Sequence, residues 1–441
     1  MISSEATLAM TRFGTGYRRD LADAVRRDPK GWLKAQLDPE RPVFTRTVLP
    51  ELSERWAIRY PTPEERAREK VDWYRVFTGY VRGIREGRVM TALDTPDPFR
   101  ERLVRFFFEH FTISMAQATL RGVTDIYEAE AIRPYVTGRF RDLLGAVMHH
   151  PMMHVYLSNH MSFGPHSPAA ARSDVGLNEN LGRELLELHT LGVSGGYTQS
   201  DVREAAKILT GWVVQIYNRN APFDMRFVSD RHEPGDKSIM EHRIAEGGEK
   251  ELDDLLDFLA SHPSTARFIS YKVAKYFIDD RPPEELVQNM AEVFLAEDGC
   301  LAAVLSVMID HPASWKPGGR KVLLPEDWAV AFGSLCGMKG RDAATEITSA
   351  VLTLGHRVHA ARSPKGWPDD RDVWFTPGYM LLRAGLAGRM YQHFGVRSDV
   401  DEALSVYFHG ANQDVIRTLK GAPTPKDAFS LIAASPDFSL R

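Results

Sequence analysis

An all-α fold with one small β excursion near residues 221–240 is what this sequence predicts. Three observations predict it. Apolar residues recur at three- and four-residue spacing through most of the chain, prolines sit where such runs end, and strict alternation is confined to one short stretch. Residues 1–441 read as one large helical domain, with a subdivision open at residue 245 between a site-bearing part, 1–245, and a C-terminal helical part, 246–441.

Taken in order, 21–37, 64–81, 99–115 and 139–148 each carry a single apolar stripe, the pattern of a one-sided helix. Asp97-Pro98 supplies an N-cap followed by a proline at the first helical position, where the missing N–H has no intrahelical partner to lose. His150-Pro151, His262-Pro263 and His311-Pro312 each fall between two apolar helical runs, so each proline should end one helix and start the next. The β signal is the alternating run 221–229, APFDMRFVS.

Composition narrows the function classes. With 441 residues, 43% hydrophobic and 26% charged, the chain has ample material for a core. A net charge of -4 with basic and acidic residues intermixed gives no field that would favour nucleic acid. Cys300 and Cys336 lie far apart with no CxxC spacing, which leaves neither a disulfide framework nor a zinc knuckle. Residues 6–37 lack the basic start, apolar core and small-residue cleavage site of a signal peptide, and no run of about eighteen apolar residues predicts a membrane span. Cytoplasmic is the default expectation.

Chemistry concentrates in 178–212, NENLGRELLELHTLGVSGGYTQSDVREAAKILTGW, which reads as a helix, a glycine-rich turn and a second helix ending on Trp212. At about 100° per residue, Asn180, Glu184 and Glu187 share one arc, with Glu179 and Arg183 on its shoulder, while His189 falls nearly opposite Glu187. Arg183 can brace Glu179 or Glu187 at four-residue spacing. Gly192 should stop this helix in the left-handed conformation, and Thr198 with Asp201 should cap the next. Two carboxylates three residues apart, Glu184 and Glu187, are what a general acid/base pair or a divalent-metal site needs, because like charges held together raise one pKa and attract a cation. Solvated or arginine-neutralised acids remain the alternative.

A second cluster follows the β run in 230–237, where His232, Glu233 and Lys237 surround a Pro-Gly turn of the kind that presents catalytic groups. A third gathers His149, His150, His154, His160 and His166 near Asn159, although Pro151 interrupts the four-residue spacing of His150 and His154. His110, closing the aromatic run RFFFEH, reads as a hydrogen-bonded core or rim histidine, and Trp212 and Trp367 read as packing residues.

These blocks, from ATLAMTRFGTG through IRPYVTGRF, SNHMSFGPHS, LNENLGRELLELHTLG, RHEPGDKSIM and HPSTARFISYKVAKYF to PKGWPDDRDVWFTPG, resemble the bacterial family catalogued as domain of unknown function 1800, in that family's order and over nearly the whole chain. The resemblance implies a mostly helical protein whose gene neighbour is often an exported, sulfatase-like protein, hence a partner of that kind. It places the family pattern on Asn178, Glu179, Asn180, Arg183, Glu184, Glu187, His189, Thr190 and Gly192, on Thr210, Gly211 and Trp212, on His232, Glu233 and Gly235, and on His110, Asn159 and Lys272. The chain departs from it at Phe108-Glu109-His110, where many members read His-Asn-His, and at Met161, where glutamine is common.

Three expectations follow. In the first, the 178–191 helix meets the 230–237 loop in one cleft, around a divalent cation, to hydrolyse an ester, phosphoester or glycosidic bond. Glu184 or Glu187 would serve as base or ligand, His232 and Glu233 as acid/base groups or ligands, and Arg183 and Lys237 as anion stabilisers. In the second, the chain is a non-catalytic partner or maturation factor for the sulfatase-like neighbour. In the third, Asn159, Asn178, Asn180, His189 and Trp212 line a small-ligand pocket. Oligomeric state is not legible.

Overall fold

A computed structural model describes residues 3–441 apart from 48, 69–71, 173–175, 318–320 and 395–398. Its described residues are mainly helical, with two antiparallel two-stranded sheets as the β content. The first sheet pairs Trp212–Gln215 with Asp224–Phe227, and the second pairs Lys237–Ile239 with His242–Ile244. The alternation in 221–229 is therefore a strand, but its partner was read as a helix end. Gly211, at φ +91°, lets the chain leave the Gln199–Ile208 helix, and Trp212 opens the strand. The stripe at 21–37 is divided at Asp28-Pro29 into Ala22–Arg27 and Pro29–Ala35, because the Asp28 carboxylate caps the second piece through the Gly31 N–H at 2.9 Å.

The Pro98–His110 helix runs through the middle of the core. Its residues are buried on every face except at Glu109, including the charged Arg100, Glu101, Arg102 and Arg105. Buried charges require partners. Arg105 meets Asp327 at 3.0 Å, Arg102 meets Asp327 at 3.3 Å, and Arg88 meets Glu326 at 3.0 Å, with Glu128 receiving Arg88, Arg133 and His359. This network ties Trp73–Asp94, Pro98–His110 and Pro325–Leu335 together along the central helix.

All three His-Pro junctions start a helix with the proline at its first turn. In each, the imidazole supplies the cap: His150, His262 and His311 accept the N–H two residues ahead, at 3.2, 3.1 and 3.2 Å. The ring does what an Asp or Asn would do there. No described helix is long and apolar enough to cross a membrane.

Candidate functional site

The C-terminal end of the central helix carries Glu109 and His110. The Lys272 ammonium, on the Pro263–Phe277 helix, donates to His110 Nδ1 at 3.0 Å, and His110 Nε2–H donates to the His189 carbonyl at 3.1 Å. Together these bonds fix the neutral tautomer of His110 with its proton on Nε2.

The His189 carbonyl is free to accept because it lies in the last turn of its helix, and that turn is locally irregular. The Asn180–Glu184 helix continues as a π-helix over Leu185–Thr190, in which Leu191 N–H reaches back to the Leu186 carbonyl at 2.9 Å. Gly192, at φ +80°, ends it; a Cβ there would stand 2.7 Å from the Phe268 ring. Glycine thus lets the π turn close on the helix that carries Lys272. The sequence reading assumed a regular helix, and the structure corrects that assumption while agreeing that His189 leaves the Glu187 side. The His189 ring is buried beside Phe111 and 6.2 Å from the His110 ring, and its Nδ1 has no partner among the described residues.

Glu109 is held from the far side of the chain. Its Oε2 accepts the Trp367 N–H at 2.9 Å, and Gly366, at φ +79°, comes so close that a Cβ would stand 2.6 Å from the Glu109 carbonyl. Burial pushes the Glu109 carboxyl up to about 7, and burial pulls the Lys272 ammonium down to about 8. Burial also holds His110 well below the usual imidazole range and His189 down to about 3, with the Lys272 charge acting in the same direction on both.

Tyr156 lies within the electrostatic reach of both Glu109 and Glu184. Burial first, then the charges of Glu184 and Glu109, push its hydroxyl up to about 12. Burial and Glu187 raise the Glu184 carboxyl, while Glu187 accepts from the Tyr197 hydroxyl at 3.3 Å. Glu109, Tyr156, Glu184, Glu187, Tyr197 and Lys272 are each only partly buried, whereas His110 and His189 are buried. The Glu184 and Glu187 pair thus has Tyr156 and Tyr197 as its phenolic neighbours.

It does not meet the 230–237 loop. The Gln199–Ile208 helix packs on Asn180–Glu184 and on the Lys237–Ile239 strand, and no hydrogen bond or ion pair joins the two clusters among the described residues. The loop closes on itself instead. His232 Nδ1–H donates to the Thr210 carbonyl at 2.9 Å; Lys237, 2% exposed, binds Glu251 at 2.7 Å and also donates to the Glu233 carbonyl, while His232 Nε2 lies 3.1 Å from Glu251. Burial would raise the Glu251 carboxyl, yet His232, the Gly247 N–H and Lys237 hold it down at about 2. Glu233 accepts the His166 N–H at 2.8 Å and its ring Nδ1 at 2.6 Å. The common cleft expected from sequence is therefore corrected: polar residues of a presumed surface loop form a buried brace, because Glu251 at the next helix start neutralises Lys237.

Other predicted residues are also tied into the backbone. Asn178 accepts the Asn180 N–H at 2.9 Å and donates to the carbonyls of Leu157 and Ser158, which fixes the start of the helix. Asn180 is exposed. Asn159 donates to the Leu209 carbonyl at 2.8 Å beside His154, and Trp212, 6% exposed, packs on His149 and Phe227. These four do not line any of the described hollows together with His189. Arg183 braces Glu179 at 3.1 Å, as the spacing predicted, and not Glu187. Among the described residues no group of three or more His, Cys, Asp or Glu side chains is placed to hold a metal ion, so the expected divalent cation finds no third protein ligand beside Glu184 and Glu187.

Glu109, Tyr156 and Lys272 escaped the residue-by-residue reading. The available signal was Glu109 itself, an acid wedged between Phe108 and His110 in an otherwise apolar run. Phe108, where a histidine was expected, stacks on His359 at 4.0 Å. A family model described as "Protein of unknown function (DUF1800)" matches residues 8–440. Comparisons with curated proteins and with solved structures returned no match.

Proposed function

The chain belongs to the DUF1800 family, and from that premise we propose that it is a hydrolase whose acid–base pair is Glu109 and Lys272. The observation that carries this reading is the 3.0 Å contact of Lys272 Nζ with His110 Nδ1, next to a partly buried Glu109 whose charge and that of Lys272 act on each other. Between about pH 7 and 8 Glu109 is ionised and Lys272 is still charged, so a base and an acid coexist. In that state Glu109 takes a proton from an attacking water while the Lys272 ammonium gives one to the leaving oxygen of an ester, phosphoester or glycosidic bond. His110 and the His189 carbonyl position the amine. Tyr156 and Glu184 supply hydrogen bonds to the substrate.

The test is turnover of p-nitrophenyl acetate, p-nitrophenyl phosphate, bis-p-nitrophenyl phosphate and p-nitrophenyl glycosides by the wild type, Glu109→Gln and Lys272→Met. Hydrolysis of one class, reduced ~10²–10⁴-fold in both variants, is expected. No turnover of any class, or turnover unchanged in both variants, overturns the reading.

A further inference from the structure

A hollow of about 670 Å³ lies against the Trp73–Asp94 helix, bounded by the loop after the central helix and by 355–367. Among its described lining residues four are arginines, Arg85, Arg121, Arg357 and Arg362, and none is acidic. In a chain of net charge -4 such a concentration of one sign calls for a cause. Among the described residues none of the four guanidinium groups makes an ion pair or a side-chain hydrogen bond, although arginines elsewhere in the molecule are bound to carboxylates repeatedly. The Arg85 Nε is buried without a partner. Burial and then the Arg357 charge depress the Arg85 guanidinium, so two like charges are held together without neutralisation. Arginine does not escape such a position by losing its proton, and an incoming anion relieves it.

The rest of the wall is aromatic. Phe77 and Tyr74, one turn apart on the helix, and Trp367 across the hollow present ring surface beside the guanidinium groups. We propose that this hollow is a binding site for a small organic phosphate or sulfate ester, its oxyanion held by the arginines and its apolar or aromatic group packed on the rings. Trp367 joins the hollow to the acid–base site, since its backbone N–H holds Glu109 while its side chain borders the hollow. Binding there does not depend on the hydrolase reading and is measured without turnover.

Titration of the full chain with phenyl phosphate and with inorganic phosphate at low salt, followed by calorimetry, tests it. Saturable binding of phenyl phosphate is expected, tighter than that of inorganic phosphate, weakened by added salt and weakened at least tenfold in Arg357→Gln and in Arg362→Gln. Both positions are exposed, so the variants fold. Absence of saturable binding, equal affinity in wild type and both variants, or binding to phosphatidic acid vesicles without binding of phenyl phosphate overturns it.

Discussion

Lys272 Nζ donates to His110 Nδ1 at 3.0 Å, and His110 passes the constraint on to the His189 carbonyl at 3.1 Å. Three elements distant in sequence are thereby joined by one amine and one imidazole. Among the described residues no carboxylate touches the Lys272 ammonium, which makes it expensive to bury, and the site accepts that cost.

The first consequence is a pH dependence. Activity should rise with pH through about 7 as Glu109 loses its proton and fall through about 8 as Lys272 loses its own. Steady-state kcat/KM between pH 5 and 10 checks this, and Glu109→Gln should lose the rising limb. A plateau from pH 6 to 10 in the wild type contradicts it.

Stability should move the opposite way at Glu109. A carboxyl raised from 4.5 to about 7 by burial favours folding below the lower value, and that advantage is lost as pH rises through the upper one. At pH 8 Glu109→Gln should therefore gain ~1–2 kcal/mol of stability while losing activity, and near pH 4 the gain should vanish. Urea unfolding at the two pH values measures it.

His232, Lys237 and Glu251 should behave as a brace. Glu251→Gln or His232→Ala leaves a buried group unpaired and should lower stability by ~3–5 kcal/mol. The Glu251 carboxyl is held down, so its contribution is present above about 4.5 and lost as pH falls through about 2. Thermal melts at pH 7 and pH 3 check both statements; a variant with wild-type melting temperature contradicts the brace.

The histidine caps make a smaller prediction. His262→Ala should cost ~0.5–2 kcal/mol, whereas His262→Asn, which also offers an acceptor to the Ser264 N–H, should be close to neutral. Burial lowers the His262 imidazole, so the cap is present above the ordinary histidine range and lost as pH falls through the lowered value. Chemical denaturation of the two variants separates capping from packing.

Local chemistry was legible in the sequence. The three His-Pro junctions, the Thr198 and Asp201 capping box, the left-handed Gly192 and the Arg183 to Glu179 brace all depend on residues within a few positions of each other, and all are present. The acids Glu184 and Glu187 were found because helical spacing aligns them. The nearness of Tyr156 to Glu184 and of Lys272 to His110 was not, since both arise through tertiary packing that no periodicity announces. The 230–237 loop was misplaced for a related reason: its polarity was visible, but its neutralising partner, Glu251, starts another helix.

The displaced ionisation of Lys272 is the claim on which the rest stands, and it is measurable without knowing a substrate. Titration of the protein with ¹³Cε-labelled lysine by NMR, the Lys272 signal assigned by its loss in Lys272→Met, should show one amine titrating near pH 8. A Lys272 signal that titrates at the ordinary lysine value of 10.5 would contradict it.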